Sequence, residues 1–328
     1  NRNQINGGQQ QLIQIIKSHR RADNLQKTYE SRLKAENISH DQAEHSYQPK
    51  ISVIVPTYNV DPKWLERCVS SVVNQSYSNW ELCLYDDAST NKETIRAMEE
   101  MQAIDVRIKA VFGKKNKHIA EASNEAIKIA TGDFVALLDN DDEFTRGALN
   151  SIVKKLNEDP NLDYIFSDED KLEMDGSRTG PYFKPGINRT LFLANNYQCH
   201  LSVIRKSLGD KIGWFRKGFE GSQDYDLFIR VMESTDRIGH IDEVLYHWRK
   251  IPGSTATDYG EKGYANESSI KALTEHIARA GLNGHIQNGL WPGSFRIKYD
   301  IPNNPKVSII IPFKDQPGLL ISCVQSIL

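Results

Sequence analysis

Between residues 51 and 138 the chain repeats one pattern: a short apolar run, a polar or acidic cluster, then a segment with helical spacing. Ile51-Ser52-Val53-Ile54-Val55-Pro56 is rich in β-branched residues and stopped by proline, which predicts a buried strand. Trp64 to Val73 follows, with Leu65, Cys68, Val69 and Val72 on one helical face. Further strands are predicted at 80–85, 106–112 and 134–138, with helices at 91–101 and 119–130, the second closed by Gly132. Alternating strands and helices predict an α/β fold built on a doubly wound, mostly parallel sheet with flanking helices. In such sheets ligands bind beyond the carboxyl ends of the strands. Thr57-Tyr58-Asn59, Asp86-Asp87 and Asp139-Asn140-Asp141-Asp142 all fall there, whereas a merely solvated surface would scatter its acids.

Hydrophobic residues make up 39% and charged residues 26% of the 328, a globular balance with length enough for a sizeable core. A formal net charge of −2 gives no overall basic field, so nucleic acid is not an expected partner. Four cysteines, with no C-x-x-C pair, read as core or free thiols, which fits a reducing, cytoplasmic compartment. The longest apolar runs are strand-sized, and neither a membrane span nor a signal peptide is predicted. Peripheral docking at the inner face of the cytoplasmic membrane stays compatible with that.

Residues 1–49 are polar and alternate in charge, apart from an apolar helical spacing at Gln10 to Ile16. They predict a solvated helical arm or linker with poor core potential. Beyond residue 160 the pattern loosens. A strand at 163–166 precedes Ser167-Asp168-Glu169-Asp170, turn residues follow at Gly176, Gly180, Pro181 and Pro185, and helices are predicted at 224–233 and 261–280. Val307-Ser308-Ile309-Ile310-Ile311-Pro312 then repeats the pattern of Ile51 to Pro56. Cys323-Val324-Gln325-Ser326-Ile327-Leu328 mirrors Cys68 to Val73, one residue having been lost between. The expected organisation is a domain over 50–300 and the truncated start of a second copy over 305–328, so that the parent chain carries two in tandem.

Each polar cluster has a chemical and a plainer reading. Asp139 and Asp141 at a strand end can share a hard cation such as Mg²⁺ or Mn²⁺ with a phosphate, or form an acidic turn, with Asp142 capping a helix over 144–156. Asp87 can take hydrogen bonds from a base or ribose, or form a turn; Tyr58 can stack on a base, or half-bury in a loop. Asp224, in Gln223-Asp224-Tyr225-Asp226, can deprotonate a hydroxyl, or cap its helix. His247 can bind a metal and Arg249 a phosphate, but a lone histidine beside a tryptophan is more often a packed one; His118 and His200 carry the same caution.

Six pieces in order resemble the family 2 glycosyltransferases, which have the Rossmann-like GT-A fold. They are Ile54-Val55-Pro56-Thr57-Tyr58-Asn59, Asp86-Asp87-Ala88-Ser89, Ala122-Ser123-Asn124-Glu125-Ala126, Gly132-Asp133-Phe134, Leu138-Asp139-Asn140-Asp141-Asp142 and Gln223-Asp224-Tyr225-Asp226-Leu227. Ser167 to Asp170 and Phe183-Lys184-Pro185 look like the bacterial branch that builds cell-surface polysaccharides such as O-antigen or capsule. The resemblance covers about residues 50 to 255. It implies that Pro56, Thr57, Tyr58 and Asp87 hold the nucleobase and ribose, with Asn124, His118 or Lys117, and Asn140 lining the nucleotide pocket. It implies that Asp141 binds the divalent metal, Asp139 supports ribose or metal, and His247 completes the metal shell or touches the diphosphate. Asp224 becomes the general base; Asp168, Gln223 and Arg249 fall on the acceptor or diphosphate side. The implied reaction is inverting transfer from a nucleoside-diphosphate sugar to a glycan hydroxyl, the acceptor being free or lipid-linked. Two departures stand out: the family's Glu-Asp pair is Gln223-Asp224 here, and Lys314 replaces Tyr58 in the second copy. A non-catalytic glycan- or nucleotide-binding module and a nucleotidyltransferase share the same expected fold.

Overall fold

A computed structural model describes residues 27–31, 45–251, 263–303 and 305–328. The first predicted strand is β1 (Ile51–Thr57), buried along its whole length. It runs through Pro56 to Thr57 instead of stopping at the proline, because β2 (Trp80–Asp86) keeps pairing with it to Thr57↔Asp86. With β3 (Ile108–Phe112) and β4 (Phe134–Leu137) these strands form the parallel half of the sheet. Helix α1 (Pro62–Val73) starts where Asp61 caps Lys63 N and Pro62 presets the first turn. It buries Trp64 with the predicted face of Leu65, Cys68, Val69 and Val72. Helices α2 (Lys92–Ile104) and α3 (His118–Lys128) complete the βα alternation. Gly132 does not close α3, whose C-cap is Ile129. A Cβ on Gly132 would stand 2.6 Å from the Lys50 carbonyl and 2.7 Å from Ser52 Oγ, so the glycine serves close packing at the foot of β4.

The second half of the sheet is mixed. It holds β5 (Glu143–Phe144), β6 (Tyr164–Leu172), β7 (Arg178–Tyr182), β8 (Ser202–Arg205) and β9 (Ile238–Arg249). The order is β3-β2-β1-β4-β8-β6-β9-β5, with β7 beside β6. Strand β8 is antiparallel to both β4 and β6, while β6 and β9 are parallel. The helix expected at 144–156 is instead β5 followed by α4 (Ala148–Glu158), capped by Gly147, so Asp142 is not its cap. Ser167 to Asp170 lie inside β6, not after it. Short helices α5 (Arg189–Ala194) and α6 (Lys206–Ile212) flank β8, α7 (Gln223–Ser234) packs on the sheet with Phe228 stacked on Tyr164, and α8 (Gly263–Arg279) packs on α7. Strands β10 (Gly284–Asn288) and β11 (Phe295–Tyr299) form a separate hairpin.

All four cysteines are free thiols, with Cys68 and Cys83 buried in the core. No helix among the described residues is long and apolar enough to cross a membrane. Part of the N-terminal arm is less solvated than its composition suggests. The helical turn at 27–31 buries Tyr29, whose ring meets Phe183 edge-on and whose hydroxyl donates to Asp170 Oδ2 at 2.5 Å. The apolar spacing at Gln10 to Ile16 lies outside the described residues. Residues 307–312 form no strand, and Val307, Ile309 and Ile310 stand exposed. Helix α9 (Pro317–Gln325) follows at the offset that the repeat predicts, again with proline in its first turn.

Candidate active site

A cleft of about 640 Å³ opens at the carboxyl ends of β1 and β4 and continues past the start of α7 to β6 and β9. Asp139, Asn140, Asp141, Gln223 and Asp224 all line it, although more than eighty residues separate the two groups in the chain. Pro56 and the α3 residues Ile119 and Ser123 form its β1 side. The acidic turn approaches the cleft because β4 ends at Leu137 and Asn140 Nδ2 ties back to the Pro56 carbonyl at 2.8 Å.

Strand β9 holds this turn by its backbone. Tyr246 Oη accepts from Asp139 N at 3.2 Å and donates to Asp142 Oδ2 at 2.5 Å. Arg249 donates through its backbone N to Asp142 Oδ1 and through Nε to the Asp141 carbonyl, both at 2.7 Å. Asp142 is fully buried and its carboxyl is pushed well up, first by burial and then by Asp141 and Asp139. It is therefore an internal anchor. Asp139 and Asp141, on the same turn, line the cleft. Tyr246→Phe is expected to keep the fold but remove the bridge, leaving Asp142 with one fewer donor. Nucleotide affinity should fall about tenfold, the scale of one lost buried hydrogen bond; calorimetric titration showing unchanged affinity would remove Tyr246 from this positioning role.

The cleft carboxylates oppose one another. Asp139 is raised to about 7, by burial first, then by the charges of Asp141 and Asp224. Asp224 is also raised, chiefly by burial, against hydrogen bonds from the Tyr225 backbone, Cys199 and Asn196. The Asn196 contact, Nδ2 to Asp224 Oδ2, is 2.9 Å. Oxygen ligands under mutual repulsion suit a hard cation shared with phosphates, which needs only one or two carboxylates from the protein. Among the described residues, no cluster of three or more histidine, cysteine, aspartate or glutamate side chains forms a ready-made cage.

The other predicted residues sit elsewhere. Asp87 is buried and accepts Lys117 N at 2.8 Å. Tyr58 is 48% exposed and does not line the cleft. Thr57 Oγ1 and Asp86 Oδ1, on residues paired in register, are buried and unpartnered among the described residues. His118 opens α3 with a positive φ of 65°. Asn124 clamps the Phe215 backbone, donating to its carbonyl at 2.8 Å and accepting from its N at 3.1 Å, so it shapes the α3 side by holding a loop. Asp168 is buried against Lys184 N and His240 Nε2, both at 2.9 Å. His247 bonds Asp170 Oδ1 through Nδ1 at 2.7 Å and Thr145 Oγ1 through Nε2 at 3.0 Å. A role at a metal would require it to give up one of those bonds. Arg249 is buried, spent on the acidic turn and an ion pair with Glu143.

Glu169, Lys171, His200 and Trp248 line the cleft instead, and reading the sequence did not single out Glu169, Lys171 or Trp248 as site residues. Their signal was parity: they neighbour Asp168, Asp170, His247 and Arg249 on β6 and β9 and point to the opposite face.

A parallel half-sheet with a cleft and carboxylates at its carboxyl edge is the α/β architecture of the GT-A type. Residues 52–213 match the model of the glycosyl transferase family 2. Putative glycosyltransferase EpsE of Bacillus subtilis is 30% identical over 213 residues, which cover 62% of this chain and 73% of that one. O-antigen biosynthesis protein RfbC of Myxococcus xanthus is 35% identical over 283 residues, 86% of this chain and 22% of that protein. The crystal structure of S. aureus TarS 1-349 in complex with UDP-GlcNAc shares the fold, with a TM-score of 0.58 at 21% identity over 71% of this chain and 68% of that one. The chain belongs to glycosyl transferase family 2. It spans less than a third of the length of its more similar relatives.

Proposed function

We propose that this chain is the catalytic domain of an inverting, metal-dependent glycosyltransferase that extends a bacterial surface glycan from a nucleoside-diphosphate sugar. The observation that carries the reading is the convergence of Asp139, Asp141 and Asp224 on one cleft. A solved relative of this fold is described in complex with UDP-GlcNAc, and a sequence relative is named for O-antigen biosynthesis. The nucleotide lies at the carboxyl ends of β1 and β4, where Pro56 and Asn140 line the cleft. Asp141, supported by Asp139, would hold Mn²⁺ or Mg²⁺, which as a Lewis acid would stabilise the departing diphosphate. Asp224 takes the proton of the acceptor hydroxyl. The hydroxyl oxygen bonds to the anomeric carbon from the face opposite the diphosphate. The carbon–oxygen bond to the diphosphate breaks, and its electron pair leaves with the nucleoside diphosphate. A second unit of the same fold beginning near residue 305 is part of the proposal, supported by the repeated motif and the position of α9.

The test is a thermal-shift screen of nucleoside diphosphates and nucleotide-sugars with and without Mn²⁺, followed by product analysis. A ligand at about 100 times its dissociation constant stabilises by roughly 2.7 kcal/mol, a visible rise in Tm. A flat response to every nucleotide would defeat the donor site. Release of pyrophosphate in place of a nucleoside diphosphate would make the chain a nucleotidyltransferase.

A further inference from the structure

The end of the cleft formed by β6 and β9 carries side chains other than those assigned above to donor binding and proton transfer. Trp248 is partly exposed there, and its indole is held on two sides. Lys171 Nζ lies 3.3 Å from the ring centroid, and His200 meets the ring edge-on at 5.1 Å, itself stacked on Tyr246. Lys171 also pairs with Glu169 at 3.3 Å. Burial opposes ionisation of Glu169, but Lys184, His200 and Lys171 outweigh it and hold its carboxyl below the usual range. Lys184 pairs with Glu169 at 3.0 Å and donates to the carbonyls of Cys199 and His200. Burial lowers His200 to about 4, so its imidazole is neutral at physiological pH.

The result is a rigid aromatic wall beside an ionised carboxylate and an ammonium, on the same cleft as Asp224. A pyranose has an apolar C–H face and a rim of hydroxyls. An indole covers the first, and a carboxylate–ammonium pair reads the second. We propose that Trp248, with Lys171 and Glu169, forms the subsite that seats the acceptor's terminal sugar ring and so selects the acceptor. The placement rests on the glycosyltransferase reading: the donor occupies the β1–β4 end, and the acceptor must reach Asp224 from the other. Glu169 stands beside Lys171 as the carboxylate that Lys184 also pairs with, so this end of the cleft presents an anionic group as well as a cation.

The experiment uses saturation-transfer NMR with methyl glucoside, methyl galactoside, methyl mannoside and methyl N-acetylglucosaminide as probes. It is run on wild type, Trp248→Ala and Trp248→Phe, with UDP-induced thermal shift with Mn²⁺ measured on each. Wild type should show transfer to at least one glycoside. Trp248→Ala should lose about fivefold or more of it, the size of a lost ring stack, Trp248→Phe should keep most, and the UDP shift should stay the same in all three. No glycoside signal in wild type, or an undiminished signal in Trp248→Ala, overturns the subsite. Loss of the UDP shift in Trp248→Ala, with the phenylalanine variant folded and responsive, moves Trp248 to the donor and overturns it too. If wild type itself fails to respond to any nucleotide, the glycosyltransferase reading fails, which is a separate result. Should Trp248→Ala not fold, Lys171→Met replaces it and must lower the glycoside signal alone.

Discussion

Replacing Asp224 by asparagine is expected to lower sugar transfer by about 10²- to 10⁴-fold, the usual worth of a positioned base, with nucleotide affinity nearly unchanged. Asparagine keeps the shape and can still accept from Asn196, whose Nδ2 lies 2.9 Å from Asp224 Oδ2. It cannot take a proton. The pH profile separates a base from a structural residue. Burial raises the Asp224 carboxyl above the ordinary carboxylate range. A base must be ionised to work, so wild-type turnover should rise with pH through that raised value and then level. The residual activity of Asp224→Asn should lack this limb. Transfer and donor hydrolysis at wild-type rates in Asp224→Asn would end the catalytic assignment and leave a binding module in its place.

Asp139→Asn should produce the second large effect, with opposite signs on stability and on binding. The Asp139 carboxyl is raised to about 7 by burial and by Asp141 and Asp224, against roughly 3.9 in an unfolded chain. Below about pH 4 both states hold the proton and nothing is lost. Between 4 and 7 the unfolded chain releases it while the folded one retains it, so folding stability falls as pH rises. Above 7 the folded protein carries the full penalty. Asparagine removes the charge, so the ligand-free variant should match wild type near pH 4 and melt higher at pH 8. Because Asp139 opens on the cleft, solvent screens part of the repulsion; the gain should be about 2–4 °C, roughly 1 kcal/mol in a domain of this size. The same change should weaken Mn²⁺-dependent nucleotide binding by about tenfold or more. A variant no more stable than wild type at pH 8 would mean that neither burial nor the neighbouring acids penalise the Asp139 charge in solution.

Much of the donor half was legible because its signals are local. Short apolar runs followed by polar or acidic residues predicted β1, β2 and β4 to within a residue or two, and the spacing of Leu65, Cys68, Val69 and Val72 predicted the buried face of α1. The rule that ligands gather at the carboxyl ends of parallel strands then selected Asp139 and Asp141, which do line the cleft. Gly132 was misread as a helix stop because its constraint comes from the Lys50 carbonyl and Ser52, about eighty residues away in the chain. Tyr29 was placed in a solvated arm because nothing nearby in sequence shows that Asp170 and Phe183 wait for it.

What the sequence determined by itself is the alternating α/β order and the acidic turn after β4, since both follow from residue type and spacing along one stretch of chain. Only the tertiary structure decided which face of β6 and β9 meets the cleft. Side chains alternate along a strand, so a displacement of one residue exchanges every inward group for its neighbour. The register of β6 against β9 slips on both sides of Asp168, a bulge that re-aims the rest of the strand. Glu169, Lys171 and Trp248 therefore reach the cleft, while Asp168, His247 and Arg249 are buried among their own partners.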